Sequence, residues 1–182
     1  MKFTKTPIRG AAIVDLEPIP DERGFFARAY CAEEFREHGL EPAIAQVNTS
    51  FNLRRGTLRG MHYQVDPAEE TKLIRCIRGA IWDVIIDMRP ESDTYLSHFG
   101  VHLSAENRSA LYVPAMCAHG FQTLADETEV LYQVGDFYRP GHERGLAYDD
   151  PTFAIEWPLP VSVISDKDRQ WPAFAAAPVA VS

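Results

Sequence analysis

Cysteine is scarce in this chain: Cys31, Cys76 and Cys117 are odd in number, far apart and without a Cys-x-x-Cys pair. That argues against a disulfide framework and against a thiolate zinc site, and leaves buried free thiols as the expectation. Long apolar runs are missing as well. No window approaches the ~20 apolar residues of a membrane span, and Met1 to Pro7 holds no apolar stretch of signal-peptide length. A soluble, cytoplasmic protein with no membrane contact is expected. Positive charge is in deficit, with 26 acidic against 18 basic residues and a net charge of -8. Nucleic-acid binding works by phosphate neutralisation, so no nucleic-acid partner is expected. A small anionic ligand stays open, provided that basic side chains gather locally against the overall field. Tandem repeats, low-complexity stretches and internal linkers are also lacking. A chain of 182 residues with 46% hydrophobic content fills one core and not two. A single domain over residues 1–182 is therefore expected, with the Ala/Pro-rich residues 173–182 as a loosely ordered tail.

What is present is mostly strand signal. Short β-branched and aromatic runs alternate with Pro, Gly, Asp and Asn, the pattern of an all-β sandwich or barrel. The runs are Ile8 to Leu16, Gly24 to Tyr30, Ala43 to Asn52, Leu73 to Ile77, Ala80 to Met88, His98 to Leu103, Ala110 to Val113, Phe121 to Leu124 and Val130 to Tyr138. Ala32 to His38, stopped by Gly39, predicts one short covering helix. In Leu58 to Gln64, strand alternation puts Gly60, His62 and Gln64 on one face and Arg59, Met61 and Tyr63 on the other. Which face points inward is not decided by the pattern.

Six histidines raise the question of metal. Metal-binding barrels of the cupin type present His-x-His, a Glu and a distant His. Here the matching stretch reads His62-Tyr63-Gln64 followed by Glu69 and Glu70. A weak ligand stands where a strong one is needed, so no metal is expected. His38 and His142 are expected in solvent, and His98 and His102 as ordinary strand residues. His62 and His119 remain as candidate bases. A strand histidine serves as a base when a carboxylate fixes its tautomer, and Ser165-Asp166-Lys167-Asp168 offers two carboxylates. Arg23, Arg54, Arg55, Arg59, Lys72, Arg75 and Arg78 recur beside these segments. Arginine forks grip phosphate oxygens, whereas a lysine is a point charge that also stabilises an enolate.

Taken together, the segments resemble the dTDP-4-dehydrorhamnose 3,5-epimerase family from about Ile8 to Pro172. The strings that carry the resemblance are Asp21-Glu22-Arg23-Gly24-Phe25-Phe26, Gln46-Val47-Asn48-Thr49-Ser50, Gly56-Thr57-Leu58-Arg59-Gly60-Met61-His62-Tyr63-Gln64 and Lys72-Leu73-Ile74-Arg75-Cys76. Further on come Gly79-Ala80-Ile81-Trp82-Asp83-Val84, Ala118-His119-Gly120-Phe121, Tyr132 with Tyr138, Glu143, Trp157-Pro158 and Ser165-Asp166-Lys167-Asp168. The resemblance implies a double-stranded β-helix, a cupin-like jelly-roll barrel with one or two short peripheral helices. It implies a homodimer that acts on a nucleotide-diphosphate sugar without metal or other cofactor. By the same resemblance His62 is the base, Asp168 its carboxylate and Tyr132 the opposing acid, while Lys72 and His119 lie by the 4-keto oxygen. Arg23, Gln46, Asn48, Arg59, Glu143 and Lys167 match positions that contact the nucleotide or its diphosphate, and Phe26 and Tyr138 count among the substrate-binding positions. Three residues depart from the pattern: Arg28 stands where the family has Glu, Ala115 where it prefers Gly, and Met61 where it usually has Leu. Met for Leu conserves volume. Arg28 reverses a charge at a nucleotide-contacting position, which leaves open the nucleotide and the sugar.

The implied chemistry suits these residue types. In a 4-keto-6-deoxy sugar both C3 and C5 adjoin the carbonyl, so loss of either proton gives an enolate delocalised onto the C4 oxygen. Imidazole can take such a proton only if donors hold the enolate. Inversion then needs a proton from the opposite face, which a tyrosine hydroxyl can give, and the ketone is itself the electron sink. The alternatives are an epimerase acting at one carbon only or on another nucleotide-linked sugar, a non-catalytic sugar-nucleotide binding module, and a metal-dependent cupin dioxygenase.

Overall fold

The computed structural model describes residues 1–174. Among them the chain forms thirteen strands and two short helices. They are β1 (Lys2–Lys5), β2 (Ala12–Asp15), β3 (Ile19–Asp21), β4 (Gly24–Phe26), α1 (Ala32–Glu37), β5 (Gln46–Asn52), β6 (Leu58–Gln64) and β7 (Lys72–Arg78). After them come β8 (Ala80–Asp87), β9 (His98–Ser104), β10 (Ala110–Val113), β11 (Cys117–Thr123), β12 (Thr128–Val134), β13 (Glu143–Gly145) and α2 (Asp166–Arg169). Six strands pair in the order β1-β2-β10-β7-β12-β5, five in the order β13-β6-β11-β8-β9, and β3 with β4 makes a separate hairpin. The two large sheets are antiparallel throughout and face each other, giving the expected double-stranded β-helix.

Side-chain alternation divides the apolar residues into three layers. Ile74, Cys76, Leu111 and Val130 of the first sheet meet Ile81, Ile85, Leu103 and Phe121 of the second in the central core. The outer face of the six-stranded sheet is covered by α1 through Phe35, which packs with Val14, Leu73 and Tyr112. The outer face of the other sheet carries Met61, Val84, Ile86 and Ala118, and the chain after β13 covers it with Leu146, Phe153 and Trp157. Phe174 packs against Phe153, and its N–H donates to Asp150, so the start of the expected loose tail is docked on this layer. The remainder of that expected tail, 175–182, lies outside the described residues. Burial pushes the Cys76 thiol up to about 11 and the Cys117 thiol up to about 12, as inert core sulfurs. No described helix is long and apolar enough to cross a membrane.

One irregularity positions the site. His119 pairs with His62 and Phe121 with Arg59, so Gly60 and Met61 together oppose Gly120 alone. This β-bulge shifts the strand's parity. Arg59 and His62, which simple alternation sends to opposite faces, both reach the interior cavity, while Met61 turns to the outer layer. Only glycines permit it: Gly60 has φ of +126°, and a Cβ there would lie 2.4 Å from the Gly120 Cα. Gly60→Ala is expected to destabilise the fold by about 3 kcal/mol, from left-handed strain and overpacking together. A denaturation midpoint unchanged from wild type would refute that reading.

Candidate active site

Between the sheets opens a cavity of about 410 Å³. Asn48 and Tyr132 line it from the six-stranded sheet, and Arg59, His62, His119 and Phe121 from the five-stranded one. Ser165, Lys167 and Asp168, in and beside α2, close one side. Seven side chains singled out in the sequence thus converge here, although up to 120 positions separate them along the chain (Asn48 to Asp168).

Of the two carboxylates available, Asp168 is the one that meets a histidine. Its Oδ1 lies 2.8 Å from His62 Nε2, and its Oδ2 accepts the Gly60 N–H at 3.3 Å. Ser165 caps α2 by accepting the Asp168 N–H at 3.1 Å, which fixes the carboxylate's origin. Burial alone would raise the Asp168 carboxyl, but the hydrogen bonds from His62, Gly60 and Ser165 hold it below its ordinary value. It is therefore an anion beside the imidazole. With a proton on Nε2 given to Asp168, Nδ1 of His62 is left as a lone-pair acceptor. Trp171 stands edge-on to the His62 ring at 6.0 Å, seated over Gly145, where a Cβ would come within 2.1 Å of the indole.

His119 has its own carboxylate, one that sequence reasoning missed. Asp83 Oδ1 lies 2.7 Å from His119 Nε2, and Asp83 is fully buried, its Oδ2 unpartnered among the described residues. A signal was there to find: Asp83 shares the inward face of β8 with Ile81 and Ile85, where an unpaired charge would be costly. The Tyr132 ring lies edge-on to His119 at 6.3 Å, and its hydroxyl is 3.0 Å from Ser50 Oγ. Burial pushes the phenol well above its ordinary range, so the hydroxyl keeps its proton at neutral pH.

Residues 5–176 match the sequence profile of the dTDP-4-dehydrorhamnose 3,5-epimerase family. The chain belongs to that family. It is 42% identical over 181 residues to the dTDP-4-dehydrorhamnose 3,5-epimerase of Methanothermobacter thermautotrophicus, covering 98% of this chain and 97% of that one. The crystal structure of the Elizabethkingia anophelis 3,5-epimerase superposes with a TM-score of 0.93 at 36% identity, over 96% of each chain. That of the Bacillus anthracis 3,5-epimerase, with TDP and PPi bound, gives 0.91 at 38% identity, over 95% of this chain and 99% of that one. The protein is thus an isomerase of the cupin-like epimerase class.

Around the epimerase's cavity the remaining expected residues are placed unevenly. Arg59 Nε donates to Asn52 Oδ1 at 2.7 Å, Lys167 pairs with Glu143, and Gln46 Oε1 accepts the Tyr138 N–H at 2.9 Å. Lys72 is buried, but it does not line the cavity: its ammonium donates to the His62 carbonyl at 3.2 Å and lies 3.2 Å from Glu70. Arg23 and Phe26 are not brought to the cavity at all. They sit on the β3–β4 hairpin, Phe26 is 71% exposed, and Arg23 is spent on Asp21 at 2.6 Å. Arg28, the charge reversal, pairs with Glu34 of α1 at 2.9 Å, where Glu34 also holds the Met1 ammonium. Gln64, in the would-be ligand position, donates to the Ala68 carbonyl and to Glu70. Among the described residues no three His, Cys, Asp or Glu side chains converge as a metal site.

Proposed function

We propose that this epimerase inverts C3 and C5 of a dTDP-4-keto-6-deoxyhexose, converting dTDP-4-dehydro-6-deoxy-D-glucose to dTDP-4-dehydro-L-rhamnose. One observation carries the reading: His62, held by Asp168 of α2, and the Tyr132 phenol stand on opposite sheets and line one cavity. A sugar ring held between them presents one face to a base and the other to an acid. His62 Nδ1 removes the proton at C3 or C5, and Asp168 stabilises the imidazolium that forms. His119, paired with Asp83 through Nε2, faces the developing C4 oxyanion and donates to it from Nδ1 when the ring carries both protons, and the Lys72 ammonium, paired with Glu70, lies behind the His62 strand. Tyr132 then protonates the same carbon from the other side.

Arg59, Asn48, Lys167, Glu143, Gln46 and Tyr138 form the nucleotide-diphosphate region, in keeping with the TDP and PPi held by the Bacillus anthracis relative. The exposed hairpin fits a homodimer, in which Arg23 and Phe26 would serve the partner's cavity and bury apolar surface that is open in one chain. The protein works as a single domain in the cytoplasm.

The test is the wild-type enzyme with dTDP-4-keto-6-deoxy-D-glucose in D₂O, read by NMR. Deuterium at both carbons with the doubly inverted product is the expected result. Inversion at one carbon would identify a mono-epimerase, and an unchanged sugar would reject the activity. Thermal shifts with dTDP against UDP, GDP and CDP test the nucleotide, and the largest shift is expected with dTDP.

A further inference from the structure

Tyr132 has one hydrogen-bond partner among the described residues, the hydroxyl of Ser50, a serine that closes one of the family-like strings without a role of its own. The direction of the bond follows from its neighbours. Arg59 Nε–H donates to Asn52 Oδ1 at 2.7 Å, which turns the amide nitrogen of Asn52 the other way. That nitrogen donates to the Thr128 carbonyl at 3.2 Å and faces Ser50 Oγ at 3.5 Å, the latter long for a hydrogen bond but correct in sense. Asn52 is 2% exposed, so its amide cannot turn over without losing these partners. With an N–H facing its lone pair, the serine turns its own hydrogen to the phenol oxygen. The donors thus run in one sense, from Arg59 through Asn52 and Ser50 to Tyr132.

We propose that Ser50 is a positioning residue for the proton-delivery step, its hydroxyl aiming Tyr132 and donating to the phenolate that the step leaves behind. This rests on the reading of Tyr132 as the acid. In that step the C=C pair of the enolate forms the new C–H bond with the Tyr132 proton, and the C4 carbonyl is restored. The O–H bond breaks and leaves its electron pair on the phenol oxygen. Burial opposes that charge, while the Ser50 hydroxyl and the Arg59 cation favour it. A hydroxyl donor to an oxyanion is a charge-assisted bond, and its loss corresponds to about 10- to 100-fold in rate. Because Arg59 also lines the cavity, the same row ties the anion-binding region to the acid's orientation.

The experiment compares wild type, Ser50→Ala and Ser50→Thr on dTDP-4-keto-6-deoxy-D-glucose in D₂O. It measures kcat and KM for inversion, the rate of deuterium entry, and the thermal shift with dTDP. Ser50→Ala is expected to lower kcat for inversion about 10- to 100-fold, with KM, the dTDP shift and deuterium entry near wild type. Ser50→Thr keeps the hydroxyl and is expected to recover most of the loss. A Ser50→Ala enzyme that inverts at the wild-type kcat overturns the proposal. So does one whose deuterium entry or dTDP shift falls in step with inversion, and so does a Ser50→Thr enzyme that binds dTDP yet recovers nothing. A wild-type enzyme that leaves the sugar unchanged rejects the function itself, which keeps the two failures apart.

Discussion

Replacing His62 with alanine is expected to lower both inversion and solvent deuterium uptake by roughly 10³-fold, the scale of a lost general base. The two readouts should fall together because abstraction precedes every later event. Among the described residues lining the cavity, His119 is the other imidazole paired with a carboxylate, but its side chain is only 6% exposed and the proposed pose sets it by the C4 oxygen and not by the carbon that loses its proton. Asp168 sits on the far nitrogen of His62 and cannot easily replace it. The His62 side chain is 28% exposed, so its truncation leaves the fold intact, and the dTDP thermal shift should survive as the control. Deuterium uptake at the wild-type rate in this variant would reject His62 as the base.

Tyr132→Phe should produce the second largest effect, and a different one. Inversion is expected to fall by about 10²- to 10³-fold while deuterium continues to enter the substrate. Abstraction needs His62 and the donors around the C4 oxygen, all of which remain. Only the proton from the opposite face is missing, so the enolate is reprotonated from the side it left. The phenylalanine ring keeps the packing against His119 and Phe121. Measuring uptake and inversion in the same NMR sample separates this outcome from simple loss of folding. Normal inversion at both carbons would place the acid elsewhere.

The buried central strands were legible in the sequence, and so was the exposed β4 through its aromatic pair Phe25 and Phe26. Ala80 to Met88 is nearly continuous apolar sequence because β8 is covered on both faces, by the central core and by the outer layer of Met61, Val84 and Ile86. Helix α1 was readable from its glycine stop. Strand β1 was not, because Lys2-Phe3-Thr4-Lys5 is an edge with a single apolar residue, paired to β2 by backbone bonds. Strand β13 and helix α2 are too short to show a period. The histidines at 38 and 142 are tied more closely than a solvated reading suggests: His38 stacks on Phe3 at 4.0 Å and His142 Nδ1 lies 3.2 Å from the Asp66 carbonyl.

Residue types in order along the chain were enough to indicate an all-β sandwich or barrel, because hydrophobic alternation is a local property, while the jelly roll and the candidate set of His62, Tyr132 and Asp168 came with the resemblance that the ordered motifs carry to the epimerase family. Which side chains share a face, and which carboxylate serves which histidine, are not local. The bulge opposite Gly120 placed Arg59 beside His62, a partner on another strand gave His119 to Asp83, and cross-strand neighbours oriented Ser50 toward Tyr132. Register and packing set those contacts, and both exist only once the two sheets have closed on each other.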